Sequence, residues 1–224
     1  MQEVKRTIIQ TKDGSFTVEI PELEVTYHSR YGALQESVHV FIEAGLHYML
    51  HHEGRPSPVR IFEMGLGTGL NALLTVIEAQ KQQTAIHYTS IEPFPLHREE
   101  WPLLAYGTNE EQKQWLKRIH EAGWEEDVEI TKHFTLRKEQ KKLAKYSPIE
   151  PFHLIYYDAF APKAQPELWT QEVFEKLHSM LYPGGVLVTY CSKSIVRRAL
   201  QAAGFRVQKI PGPKWKREML RAVK

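Results

Sequence analysis

Three places in the 224-residue sequence carry residue types suited to gripping a small charged ligand. The first is Glu63-Met64-Gly65-Leu66-Gly67-Thr68-Gly69-Leu70-Asn71, where glycines occupy every second position directly after the apolar run Val59–Met64. Without β-carbons these glycines let the backbone turn tightly and approach a ligand, while the helix expected next presents unpaired N–H groups. A dinucleotide fingerprint is spaced G-x-G-x-x-G, and here the third glycine falls one residue early. A phosphate-binding P-loop needs a Lys-Ser/Thr pair, which does not follow. The second place is Glu92, which closes the run Ile86–Ile91 about 20 residues beyond the loop, where a carboxylate can accept both hydroxyls of a ribose. The third is Tyr156-Tyr157-Asp158-Ala159-Phe160-Ala161-Pro162. A carboxylate emerging there at a strand end can hold an amine and orient its lone pair, with Phe160 and Pro162 as a wall for a planar ring. The plainer alternatives are a solvated loop glutamate at 92 and a helix cap or salt-bridge partner at 158.

These residues act together only if strands deliver them to one edge of a sheet. Apolar runs predict strands over 59–64, 86–91, 127–132, 153–157 and 185–190. Helical patterns fall between them, at roughly 70–80, 96–105, 110–122, 136–146, 171–181 and 194–203, and a last strand pair is expected over 205–210 and 218–223. Repeated β-α units predict an α/β fold, a mostly parallel, doubly wound sheet that binds ligands at the carboxyl ends of its strands. Upstream, Thr7–Thr11 and Ser15–Ile20 alternate around the turn Lys12-Asp13-Gly14 and predict a β-hairpin. Apolar residues from Val38 to Leu50 then recur at helical spacing up to Gly54. Gly54, Pro56 and Pro58 set an N-terminal hairpin-and-helix extension, 1–58, apart from a domain over 59–224.

With 42% hydrophobic and 25% charged residues, the composition is that of a globular chain with one core. No apolar run near the N-terminus is long enough for a secretory signal or a membrane span, so a cytoplasmic location is expected and no membrane partner. The lone Cys191 excludes an internal disulfide and a cysteine zinc cluster, and no metal is expected. Charge is unevenly spread. From Lys193 to Lys224 ten basic residues stand against Glu218 alone, a balance of +9, which leaves 19 basic and 26 acidic residues, −7, on the remainder. A positive end on an acidic body predicts a polyanionic partner.

The glycine spacing resembles motif I of S-adenosylmethionine methyltransferases, E/D-x-G-x-G-x-G. A longer series of motifs resembles the tRNA 5-methylaminomethyl-2-thiouridine methyltransferase family: Glu63 to Asn71, Tyr157 to Pro162, Pro166-Glu167-Leu168-Trp169-Thr170, Pro183-Gly184-Gly185 and Thr189-Tyr190-Cys191. Arg197-Arg198, Ala203-Gly204-Phe205, Pro211-Gly212-Pro213 and Lys216 to Leu220 continue it. Tyr27-His28-Ser29 and Gly32 to Ser37 look like the segment that opens the family's domain. The resemblance spans about residues 25 to 222.

It implies a Rossmann-like class I methyltransferase that moves a methyl group from S-adenosyl-L-methionine to the aminomethyl nitrogen of 5-aminomethyl-(2-thio)uridine at a tRNA wobble position. Cofactor binding would fall to Glu63, Gly65, Gly67, Thr68, Gly69, Asn71, Glu92 and Asp158, with Asp158 also catalytic. Relatives often carry a Gly-Asp pair after the third strand. This chain reads His133-Phe134-Thr135-Leu136, so either stacking by Phe134 or a backbone amide is expected to take over the adenine contact. Substrate contacts would come from Tyr27, Gln35, Glu36, Ser37, Phe160 and Pro162. Lys193, Arg197, Arg198, Lys214, Lys216 and Arg217 would grip the phosphates of an anticodon stem–loop whose wobble base is turned out of its stack. The chain reads as the stand-alone form, its amine made by a separate enzyme. The rival readings are a small-molecule methyl- or aminopropyltransferase on the same fold and a non-catalytic RNA-binding module. A nicotinamide oxidoreductase is the weakest rival because its glycine spacing differs.

Overall fold

The computed structural model describes residues 5–52 and 56–224, so the helix stop expected at Gly54 lies outside the described residues. Strand β1 (Thr7–Gln10) pairs antiparallel with β2 (Phe16–Ile20), and β3 (Val25–Thr26) adds a third strand to this small sheet. The hairpin turn does more than reverse the chain. The Ser15 hydroxyl oxygen accepts from the backbone N–H groups of Ala33 and Leu34, both at 3.2 Å, and Asp13 Oδ2 accepts from that of Gln35 at 3.1 Å. Three donors that a helix start leaves unpaired are thereby satisfied from a distant turn. They belong to α1 (Ala33–Ser37), which continues through a π-helical stretch, Val38–His47, into α2 (Tyr48–His52). This rod lies directly on the main sheet: a β-carbon at Gly45 would sit 3.0 Å from Val188 and 3.3 Å from Tyr156.

The main sheet follows in β-α order: β4 (Val59–Met64), α3 (Leu70–Gln82), β5 (Ile86–Ile91), α4 (Glu110–Glu121), β6 (Asp127–Thr131), β7 (Phe134–Glu139) and β8 (Phe152–Tyr157). The chain then forms α5 (Gln171–Ser179), β9 (Leu181–Thr189), α6 (Ser194–Ala202), β10 (Arg206–Pro211) and β11 (Glu218–Val223). The eight strands are ordered β10-β11-β9-β8-β4-β5-β7-β6. The five from β7 to β9 run parallel, while β6, β10 and β11 are antiparallel additions at the edges. Chain order reverses at β4, which has β5 on one side and β8 on the other, so the crevice lies at the tips of these three strands.

One face of the sheet buries Ile61, Tyr88, Leu136 and Tyr156 with Phe41, Leu46, Leu73 and Ile119 from the rod, α3 and α4. Val18 of the hairpin belongs to the same cluster, so the N-terminal segment shares this core. The other face packs Phe62, Ile155 and Leu187 against Phe174 and Leu177 of α5 and Val196 and Leu200 of α6. Among the described residues, no helix is long and apolar enough to cross a membrane.

Three expectations need correcting. The helix expected over 136–146 is instead the strand β7 followed by a short 3₁₀ turn, Leu143–Lys145. The helix expected over 96–105 is reduced to a 3₁₀ turn, Trp101–Leu104, where Pro102 removes a donor that a helix would need. The strand near 127–132 is β6, an antiparallel edge. The third parallel strand is therefore β7, and its carboxyl end is Glu139.

Candidate active site

The loop after β4 owes its shape to its glycines. Gly65, Gly67 and Gly69 have φ of +90°, +50° and +73°, the left-handed region that side chains disfavour. A β-carbon on Gly67 would also come within 3.0 Å of the Tyr27 ring, so Tyr27 lies across the loop. The loop is tied to β5 by Glu92, whose Oε2 accepts from Gly67 N–H at 3.1 Å and whose Oε1 accepts from Phe94 N–H at 2.8 Å. Burial pushes the Glu92 carboxyl upward in pKa, opposed by these two hydrogen bonds and the nearby Arg6. Arg6 donates to Phe94 and Pro95 carbonyls and to Glu100, fastening the N-terminal strand over this corner.

Two carboxylates stand beside the loop. Glu63 is fully buried; its Oε2 accepts from the Ser90 hydroxyl at 2.8 Å, and the Asn71 and Tyr88 side chains adjoin it. Burial drives its pKa up to about 8, with the Ser90, Asn71 and Tyr88 hydrogen bonds opposing and the Asp158 charge adding to it. Asp158 emerges at the tip of β8, partly open to the crevice. Its Oδ2 accepts from Asn71 Nδ2 at 2.9 Å. Burial and then the Glu36 carboxylate raise its pKa to about 7, against the pull of Asn71 and Lys216. Thr68 is buried and serves the scaffold: its carbonyl accepts from His120 Nε2 at 3.0 Å, and its hydroxyl lies 3.5 Å from His28 Nε2.

Residues far apart in sequence close the crevice. Tyr27 meets Phe160 edge to face, ring centroids 5.2 Å apart, and Pro162 sits half-buried on the same loop. Glu36 is buried and accepts from Ser29 N–H at 2.9 Å; burial raises its pKa and the Lys216 charge opposes. Lys216 Nζ lies 4.6 Å from the centre of the Tyr190 ring, and burial lowers its pKa against the fields of Glu36, Cys191 and Asp158. Tyr190, whose hydroxyl donates to the Ala159 carbonyl at 2.9 Å, is a site-lining residue that sequence reasoning placed within the Thr189-Tyr190-Cys191 motif but gave no role. Its place just after β9, as Asp158 is just after β8, was the available signal.

The remaining candidates separate. Ser37 is fully buried behind Glu36, and Gln35 is exposed. Lys193, Arg198, Lys214 and Arg217 are exposed on the surface, Arg197 is half-buried, and Lys216 faces the reaction site rather than solvent. Phe134 is corrected: it begins β7 beside Ile86, fully in the core against Tyr88, at the opposite end of the sheet from the loop. Among the described residues, no group of three or more His, Cys, Asp or Glu is placed to hold a metal ion.

The crevice therefore sets Asn71, whose Oδ1 has no partner, and the buried Glu63 beside a partly open aspartate. Buried acceptors are ordinarily paired, so this set suits a donor-rich cationic group such as the α-ammonium of S-adenosyl-L-methionine. A crystal structure of MnmC2 from Aquifex aeolicus superposes with a TM-score of 0.80 at 24% identity, covering 99% of this chain and 70% of that one. A spermidine synthase in complex with the transition-state analogue AdoDATO gives 0.54 at 13% identity, covering 98% of this chain and 68% of that one. Residues 106–224 match a family described as S-adenosyl-L-methionine-dependent methyltransferase. That match takes in more than half of the 224 residues, and the chain belongs to this family of S-adenosyl-L-methionine-dependent methyltransferases.

Proposed function

We propose that the protein methylates the aminomethyl nitrogen of 5-aminomethyl-(2-thio)uridine at the wobble position of tRNA, in the cytoplasm, on an amine supplied by a separate enzyme. The observation that carries this reading is the Asp158 carboxylate, held by Asn71 at the tip of β8 beside the glycine loop and under the Tyr27–Phe160 wall. The chemistry supplied by the bound cofactor is an electrophilic methyl carbon on a sulfonium. An alkylamine is mostly protonated near neutral pH and must shed that proton before it attacks. Asp158 Oδ2 is taken by Asn71, which leaves Oδ1 to hold the ammonium. A carboxylate whose pKa lies at about 7 accepts that proton more readily than an ordinary aspartate. Tyr27 and Phe160 exclude water and border the uracil ring.

The crevice divides among the cofactor's parts by position. Glu63, Asn71 and the three glycines serve the methionine end, and Glu92 serves the ribose. The adenine edge falls at Glu139-Gln140, because Glu92 N–H donates to the Glu139 carbonyl at 3.0 Å and so sets the tip of β7 level with the ribose carboxylate. The basic residues 193, 197, 198, 214 and 217 serve the RNA phosphates, and the motif series from Glu63 to Leu220 supports that substrate class. The likeness in fold to spermidine synthase favours a second reading, transfer to a small free amine. Purified protein, S-adenosyl-L-methionine and tRNA bearing aminomethyluridine distinguish the two by nucleoside mass spectrometry. Conversion to methylaminomethyluridine is expected. Turnover of a free polyamine with none of the tRNA would sink the RNA reading.

A further inference from the structure

Beyond the reaction site lies an aromatic surface that the methyl transfer does not use. Tyr31 is 51% exposed, and its ring stacks on that of Trp215 with centroids 5.9 Å apart and planes 21° from parallel. Lys12 Nζ sits 4.4 Å from the centre of the Tyr31 ring. Trp215 is held against the backbone: a β-carbon at Gly32 would approach it to 3.0 Å. Beside this pair runs a groove of about 360 Å³, lined by Leu34, Gln35, Val38, His39 and Glu43 on the rod and by Pro213 and Lys214 on the turn between β10 and β11. Leu34 is itself 41% exposed.

The two elements that line this groove, the rod and the β10–β11 turn, also carry residues of the reaction site. Glu36 and Lys216, whose charges act on Asp158, are chain neighbours of Gln35 and Trp215. The exposed Tyr31 ring with the Lys12 cation beside it, next to a groove that Lys214 lines, complements a nucleobase and its phosphate. We infer that Tyr31, Trp215 and the adjoining groove form a subsite for a second unstacked nucleobase of the RNA, next to the nucleoside that is methylated. This rests on the RNA reading above. The subsite reads stacking faces, which every base has, so it contributes affinity and register rather than a sequence requirement.

The test uses the full chain and an anticodon stem–loop RNA carrying 5-aminomethyluridine. Loss of one stacking ring weakens RNA binding about 10-fold. Tyr31→Ala is therefore expected to raise the KM for the stem–loop about 10-fold without a matching fall in kcat. Calorimetric affinity for S-adenosyl-L-methionine should hold, and Tyr31→Phe, which keeps the ring, should restore the wild-type KM. A KM for Tyr31→Ala within twofold of wild type overturns the subsite. Fluorescence anisotropy of the labelled stem–loop separates this inference from the one beneath it. If the wild type binds the RNA without methylating it and Tyr31→Ala weakens that binding, the substrate reading falls and the subsite stands. If the wild type binds no RNA, the subsite falls too.

Discussion

The Asn71 amide donates to the Asp158 carboxylate, Nδ2 to Oδ2 at 2.9 Å, and so joins the first turn of α3 to the tip of β8. That hydrogen bond favours the ionised carboxylate and works against the burial that lifts its pKa to about 7. Asn71→Ala removes the opposing contact, so the Asp158 pKa should move further up. If the carboxylate is the form that receives the amine proton, the acidic limb of the kcat/KM profile moves to higher pH in the variant. A limb that stays put, or moves down, would detach Asp158 from the rate.

Asp158 itself separates chemistry from binding. Asp158→Ala removes the group that receives the proton but leaves Glu63, Glu92 and the glycine loop to hold the cofactor. Turnover is expected to fall about 100-fold or more, the scale of general acid–base catalysis, while calorimetric affinity for S-adenosyl-L-methionine changes much less. Turnover close to wild type would remove Asp158 from the catalytic role.

Glu63 links the site to stability. Its carboxyl titrates at about 8 when folded against an ordinary 4.5, so the folded chain keeps a proton that the unfolded chain releases. Stability contributed by that proton is present below about pH 4.5 and is lost as pH rises through about 8. Glu63→Gln has no proton to lose. Its melting temperature should gain on that of the wild type between pH 5 and pH 9, with the largest advantage at the alkaline end. A difference that does not vary with pH would mean that Glu63 is already ionised in the folded protein.

Much of this arrangement was legible in the sequence, and the exceptions have physical causes. Strands β4 and β5 and the loop between β4 and α3 stand where the apolar runs and alternating glycines put them, because local pattern and burial agree there. Strand β7 was hidden. Phe134, Leu136 and Lys138 are buried and alternate with the half-buried Thr135 and Arg137, but a lysine on the buried side disguises the period. Lys138 tolerates that position because its ammonium donates to the His120 carbonyl at 2.7 Å and lies 4.7 Å from the centre of the Trp124 ring, contacts that no local reading supplies. Misplacing β7 carried Phe134 to the wrong end of the sheet. The convergence of Tyr27, Glu36 and Lys216 was also beyond reach, since the rod and the β10–β11 turn meet only through the fold.

Gly67 is constrained twice, by its φ of +50° and by the Tyr27 ring 3.0 Å from where a β-carbon would lie. The left-handed backbone costs a non-glycine residue roughly 1 kcal/mol, which alone would be tolerable. Displacing Tyr27 adds to this by opening the wall over the crevice. Gly67→Ala is therefore expected to weaken S-adenosyl-L-methionine binding at least 10-fold by calorimetry. In Gly67→Ala/Tyr27→Ala the second change should cost less affinity than Tyr27→Ala costs alone, because the clash has gone. Strict additivity would show that the ring and the loop do not interact.

The basic residues make a final prediction that turns on the difference between Lys216 and its neighbours. Lys193, Arg198, Lys214 and Arg217 are exposed, whereas Lys216 lies over the Tyr190 ring and feels Glu36 and Asp158. Each phosphate contact releases counterions, so a surface cation that grips RNA contributes about one unit to the slope of log affinity against log salt. Replacing Lys214 and Arg217 with glutamine should raise the KM for tRNA strongly at low salt and much less at high salt, and should flatten the slope by about two. Lys216→Gln should leave that slope nearly unchanged. It should instead move the acidic limb of the pH profile upward, because its charge is one of the two influences that lower the Asp158 pKa. A Lys216→Gln variant that behaves like the surface pair would place this lysine on the RNA backbone instead of at the reacting amine.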